Sequence, residues 1–224
     1  MWQSAGVIHF DLNHPTLRLA LVAAKGVSCQ PSATQLVEQM HAAEARLRSD
    51  LSQFPEAVRV QVRNLLRVGG YKPTGRGKPA SEFLLGVARE AGLPIVNNLV
   101  DINNLVSVTT ALPISIFDAD RMGAPASIRF GRAGETYVFN ASGQSMDIAG
   151  IPVVCRAPDD TPVGNAVKDS MLAKVGPDTT SALAVIYGST ELTSGCLEAA
   201  ADELANLLQR YASAGSIERQ FIPR

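Results

Sequence analysis

The segment IVNNLVDINNLVS at positions 95–107 carries Asn97, Asn98, Asn103, Asn104 and Asp101 among isoleucines, leucines and valines. These residues have types and spacing that could do chemistry. An amide donates and accepts hydrogen bonds without a charge to solvate, so several together suit a pocket that orients a polar ligand or a water. At about 100° per residue, Ile95, Leu99, Ile102 and Val106 share a helical stripe of roughly 60°. Asn97, Asp101 and Asn104 share the opposite face. Amides thus stand where an ordinary surface helix carries Lys and Glu. One reading is structural: the amides tie down neighbouring loops. The other is functional: Asp101 and the amides converge on a small polar ligand. The two are compatible.

Two further groups invite a chemical reading. Arg59, Arg63 and Arg67 recur every fourth residue, and Lys72, Arg76 and Lys78 follow in the loop YKPTGRGKP. Such a ridge can grip nucleic-acid phosphates, with Tyr71 available to stack on a base, or it can be a solvated helix face. The polar stretch with Gly164, Asn165, Lys168 and Asp169 is a candidate second pocket wall, because a long irregular loop in a compact chain is more often functional than idle. Lys168 there could stabilise an oxyanion or meet a carboxylate or phosphate, or it could pair on the surface. GYKPTGRGKP is not a phosphate loop, since Pro79 follows its lysine, and GQSMD has the wrong last residue for a nucleophile elbow. His9, Asp11 and His14 lie out of register for a metal site, so neither metal nor cofactor is expected.

The elements that must position these groups follow from periodicity. LRLALVAA (17–24) reads as a strand, and Ser32 as the cap of a long helix through Leu51. Pro55 opens a second helix stopped by Gly69-Gly70; a third runs from Pro79 or Ser81 through Ala91. SIRFGRAGETYVF reads as a hairpin turning at 131–134, GIPVVCRA and SALAVIYG as strands, and 158–180 as irregular. A closing amphipathic helix places Leu197, Ala201, Leu204, Leu208 and Tyr211 on one stripe. Helices early and strands late, without βαβ alternation, predict an α+β fold in one domain spanning 1–224.

The 224 residues are 46% hydrophobic with a net charge of −1, enough for a core and against binding driven by overall charge. Three scattered cysteines give neither a disulfide framework nor a zinc site and fit a reducing compartment. The start lacks a basic, apolar leader and no run reaches membrane-spanning length, so the expectation is a cytoplasmic protein with no membrane or DNA partner.

LPIVNNLVDINNLVSVTTALPISIFDADRM resembles the N-terminal half of the tRNA-synthetase B3/4 domain, the editing module of the phenylalanyl-tRNA synthetase beta chain, here in a free-standing version. Asn98, Asp101, Asn104, Pro113, Phe117, Asp118 and Asp120 match that pattern. KDSMLAKVGPDTTSALAVIYG is similar to its second half, with Asp178 and Thr179 before an apolar strand. The resemblance implies a three-layer fold, helices packed on a mostly antiparallel, sandwich-like sheet, with a pocket for an aminoacyl group. It implies hydrolysis of a mischarged aminoacyl-tRNA ester by a positioned water, with the tRNA acceptor end and an amino-acid-like group as partners. Two departures stand out: Ser115 replaces the family's histidine, and Ala184 or Val185 its glutamate.

The resulting expectation is a pocket in which Asp101, Asn104 and Ser115 shape the site and place water, while Asn97, Asn98, Asn165, Lys168 and Thr179 bind substrate. Arg59, Arg63, Arg67, Lys72, Arg76 and Lys78 would meet RNA. The alternative is a non-catalytic module binding a free amino acid, a small metabolite or RNA.

Overall fold

The apolar run Ser181–Ser189 is covered on both faces: Ala182, Ala184 and Ile186 pack against helices, while Leu183, Val185 and Tyr187 pack against a second sheet. Alternating side chains on one strand therefore serve two cores. The computed structural model describes residues 8–10, 12–123, 125–157 and 159–223. In chain order the strands are β1 (Ile8–Phe10), β2 (Leu17–Lys25), β3 (Ile114–Asp118), β4 (Ala126–Phe130), β5 (Thr136–Val138), β6 (Ser145–Asp147), β7 (Pro152–Arg156), β8 (Thr161–Asn165), β9 (Ser181–Ser189) and β10 (Ser216–Ile222). The helices are α1 (Thr34–Ser49), α2 (Glu56–Arg67), α3 (Ala80–Glu90), α4 (Asn98–Thr110), α5 (Ala119–Met122) and α6 (Cys196–Tyr211).

The central sheet runs β10-β2-β9-β3 with every pairing antiparallel. Leu36 and Met40 of α1, Leu84 and Ala88 of α3, and the apolar faces of α4 and α6 cover one side of it. The sheet β1-β4-β7-β8 covers the other, with Ile128, Val153, Val154 and Val163 in the shared core. Helix α2 joins the two cores, giving Val58 and Val62 to the first and Leu65 and Leu66 to the second. Helices, central sheet and second sheet make three layers, the α+β arrangement expected from the sequence.

Local readings need correction at four places. SIRFGRAGETYVF is not a hairpin: β4 pairs with β7 and β5 with β6. Gly131 instead bridges to Ala149, an approach so close that a Cβ there would sit 1.9 Å from the Ile148 carbonyl oxygen. The stretch 158–180 contains β8, whose short TPVGN carries too little periodicity to be legible. Ser32 does not cap α1; its hydroxyl donates to Asp101. Ile95 stands outside α4 and is exposed, although Leu99, Ile102 and Val106 are fully buried as the stripe requires.

Of His9, Asp11 and His14, which the sequence reads as out of register for a metal site, Asp11 lies outside the described residues. His14 is buried, its Nε2 at 2.9 Å from the Leu65 carbonyl and its Nδ1 accepting from the Leu17 N–H. Burial lowers its pKa and keeps the ring neutral, so it staples the start of β2 to α2. No helix among the described residues is long and apolar enough to cross a membrane.

Candidate functional site

The head of α4 accounts for half of the asparagine question. Asn97 is the N-cap, its Oδ1 accepting from the Val100 N–H at 2.9 Å. Asn98 is fully buried, and all of its polar atoms go to backbone. Its Oδ1 accepts from Gln30 and Leu99; its Nδ2 donates to the carbonyls of Ser28 and Tyr211. One amide thus ties the β2–α1 connection and the end of α6 to the start of α4. Asp101 is equally buried, accepting from the Ser32 hydroxyl at 2.6 Å and the Val96 N–H at 2.9 Å. Burial raises its pKa, and these bonds oppose that shift. Helix α4 is buried almost all round, so charged side chains could not be solvated there; amides meet the polar demands of the chain without a net charge.

The other asparagines open on a cavity of about 530 Å³, within the range of small-ligand sites. Asn97, Val100, Asn103 and Asn104 line it at helical spacing, a face turned about one residue from the expected Asn97–Asp101–Asn104 face. Asn98 and Asp101 are not among its lining residues. Asn104 is half-buried and makes no side-chain hydrogen bond among the described residues. Asn103 is 7% exposed; its Nδ2 donates to the Ile114 carbonyl at 3.2 Å, while its Oδ1 is buried without a partner.

Strand β3 forms the next wall through Ile114 and Ile116. Because β3 is an edge of the central sheet, its outer side is closed by Asn103 and by the chain after β8 rather than by a strand. That chain brings Asn165, Val167, Lys168 and Asp169 to the cavity. Asn165 shapes it: Oδ1 accepts from the Val167 and Lys168 N–H groups, and Nδ2 donates to the Tyr137 hydroxyl. Burial pushes the Asp169 carboxyl up to about 7, opposed by the Ser115 hydroxyl at 2.6 Å, Lys174 and two backbone N–H groups. Ser115 is buried and is not itself a lining residue; its hydroxyl meets the cavity wall through Asp169 and, at 3.4 Å, the Asn165 carbonyl.

The basic residues divide. Arg63 forms a bidentate pair with Glu82 and so joins α2 to α3; Arg59 pairs with Glu56; Arg67 bonds Asn64. Arg76 and Lys78 of the loop line the cavity, as do Lys168 and Lys174, whereas Lys72 is exposed elsewhere on the loop. The Lys168 ammonium lies 4.0 Å from the Phe139 ring centroid, and Lys174 donates to the Phe139 carbonyl. Burial lowers the Lys168 pKa, with Arg76 adding to the shift. Thr179 is not at the cavity: it accepts from the Gly176 N–H and donates to Asp118, which caps α5.

The structure therefore brings together Asn97, Asn104, Asn165, Lys168, Arg76 and Lys78 of the expected residues, and adds Asn103, Asp169, Lys174 and Phe139. Asn103 and Asp169 stood in segments already singled out, one residue from the positions chosen. Lys174 and Phe139 had no signal in the sequence, because only the tertiary fold brings them near.

The fold is similar to that of an N-terminal fragment of the phenylalanyl-tRNA synthetase beta-subunit from Pyrococcus horikoshii, with a TM-score of 0.52 and 8% sequence identity. The match covers 98% of this chain and 55% of that one, so the chain spans about half the length of its structural relative. A search of curated proteins gave no match. The family model described as the B3/4 domain matches residues 74–213.

Proposed function

The chain belongs to the B3/4 domain family, and from that premise we propose that it takes the aminoacyl end of a charged tRNA and hydrolyses a wrongly attached amino acid in trans. One observation carries this reading: a single cavity combines apolar walls, the uncommitted amide of Asn104 and four cationic side chains, Arg76, Lys78, Lys168 and Lys174. Apolar walls suit an amino-acid side chain, amides orient a water, and cations suit phosphates near the acceptor end. Water attacks the ester carbonyl carbon and gives up a proton, the carbonyl oxygen gains charge, and the bond to the ribose oxygen breaks as that oxygen takes up a proton and leaves as a hydroxyl. Asn104, Arg76 and Lys78 are the groups available to position water and steady that charge. Action in the cytoplasm as one domain belongs to the same reading.

A second reading, a binding module without catalysis, draws on a specific observation. Ser115, which stands where the family has histidine, is 1% exposed and committed to Asp169. It therefore offers the cavity no acid or base of its own.

Hydrolysis of a panel of correctly and wrongly charged tRNAs by wild type and Asn104→Ala separates the two. Selective turnover that falls at least tenfold in the variant supports trans-editing. A folded protein with no turnover above the spontaneous rate sinks it and leaves the binding module.

A further inference from the structure

Two acceptors on the β3 side of the cavity make no ion pair among the described residues. The Asn103 amide is held in one orientation by its Nδ2 bond to the Ile114 carbonyl, which leaves Oδ1 buried and unpartnered among the described residues. A buried acceptor without a donor is uncommon in a folded protein and asks for a ligand or a water. Asp169 accepts from the Ser115 hydroxyl at 2.6 Å, yet it makes none of the ion pairs found among the described residues. A carboxylate has about four acceptor positions, so capacity remains.

Asn103 bonds the Ile114 carbonyl and Asp169 the hydroxyl of Ser115, the next residue of the same strand, and Asn103, Ile114 and Asp169 all line the cavity. The two acceptors therefore flank the same short piece of wall. The nearby lysines are turned to other work, Lys168 over the Phe139 ring and Lys174 on the Phe139 carbonyl. Resting on the reading of this cavity as an aminoacyl site, we infer that Asn103 Oδ1 and the Asp169 carboxylate form a subsite for a free α-ammonium group. The chain then accepts amino-acid derivatives with an unblocked amino group and refuses N-acylated ones. An ammonium carries three donors and a positive charge, which answers both an orphan acceptor and an unpaired carboxylate.

The subsite is pH-sensitive. The groups facing Asp169 are the Ser115 hydroxyl, Lys174, and the Tyr137 and Tyr187 phenols, both of which burial holds well above their ordinary range. Between about pH 5.5 and about pH 7, where an α-amino group stays charged, Asp169 is the member of this set that changes charge. A cationic probe therefore binds more tightly as pH rises through that window.

The test is calorimetric titration with alaninamide, leucinamide, phenylalaninamide and tyrosinamide, each beside its N-acetyl counterpart. At least one amide binds, and its acetylated form binds at least tenfold more weakly. Asp169→Asn weakens the amide at least tenfold and flattens the pH dependence. Asn103→Ala weakens it at least threefold and leaves the pH dependence in place. Equal binding of amide and N-acetyl amide overturns the inference, as does a folded wild type that binds none of the four. Amide binding with no hydrolysis of charged tRNA overturns the editing reading alone.

Discussion

The Ser115 hydroxyl donates to Asp169 Oδ1 across 2.6 Å and lies 3.2 Å from the Tyr187 hydroxyl, so an edge strand, the central strand and the cavity loop meet at one carboxyl group. Gly164 makes room for it: a Cβ there would sit 2.5 Å from Asp169 Oδ1 and 2.4 Å from the Phe117 ring. The family's histidine position has become a support for an acidic residue of the second pocket wall.

That carboxyl couples stability to pH. Its folded pKa, about 7, lies above the ordinary 3.8, so the folded chain holds a proton that the unfolded chain has released. Stability from this group is fully present below about pH 4 and is lost as pH rises to about 7. His14, with its lowered pKa, has the opposite slope below its ordinary value of 6.5, so the informative quantity is the difference between proteins. Urea unfolding of wild type and Asp169→Asn at pH 5 and pH 8 will show wild type losing more stability, on the order of 1–3 kcal/mol. Parallel pH profiles would contradict it.

Asn98 is a fold anchor, and its removal leaves the carbonyls of Ser28 and Tyr211 without their donor in the interior. Asn98→Ala will cost about 2–4 kcal/mol and lower Tm by roughly 5–15 °C. Calorimetry checks the loss. At a temperature where the variant is folded, its affinity for a cavity probe will match wild type.

The cationic residues separate by salt dependence. Arg76→Ala and Lys78→Ala will each weaken tRNA binding and reduce the slope of log affinity against log salt by about 1. Arg63→Ala leaves Glu82 buried and unpaired, so it will lower stability by about 2–4 kcal/mol with the salt slope unchanged. Fluorescence anisotropy from low to moderate salt distinguishes these outcomes, and equal slopes for all three variants would remove the loop from the RNA interface.

Much of the architecture is local and was legible from the sequence. Strand β2, helices α2, α3 and α6, and the buried stripe of Leu99, Ile102 and Val106 follow from apolar periodicity and from proline and glycine stops, which act over a few residues. The motif around Asn98, Asp101 and Asn104 was also visible, and with it the family. What each of those residues does was not. A buried amide and a ligand-binding amide have the same letter and the same spacing; they differ in what lies opposite.

For Asn98 the opposite groups are the carbonyls of Ser28 and Tyr211, the latter 113 residues away, and for Asp101 the Ser32 hydroxyl, 69 away. For Asn103 no group among the described residues lies opposite Oδ1. Such pairings depend on how the layers pack, because hydrogen-bond partners are chosen by distance in space. The sequence by itself determined the long helices, the apolar strands β2, β7 and β9, the α+β class and the family. The tertiary structure alone decided which polar residues are spent holding the fold and which face the cavity.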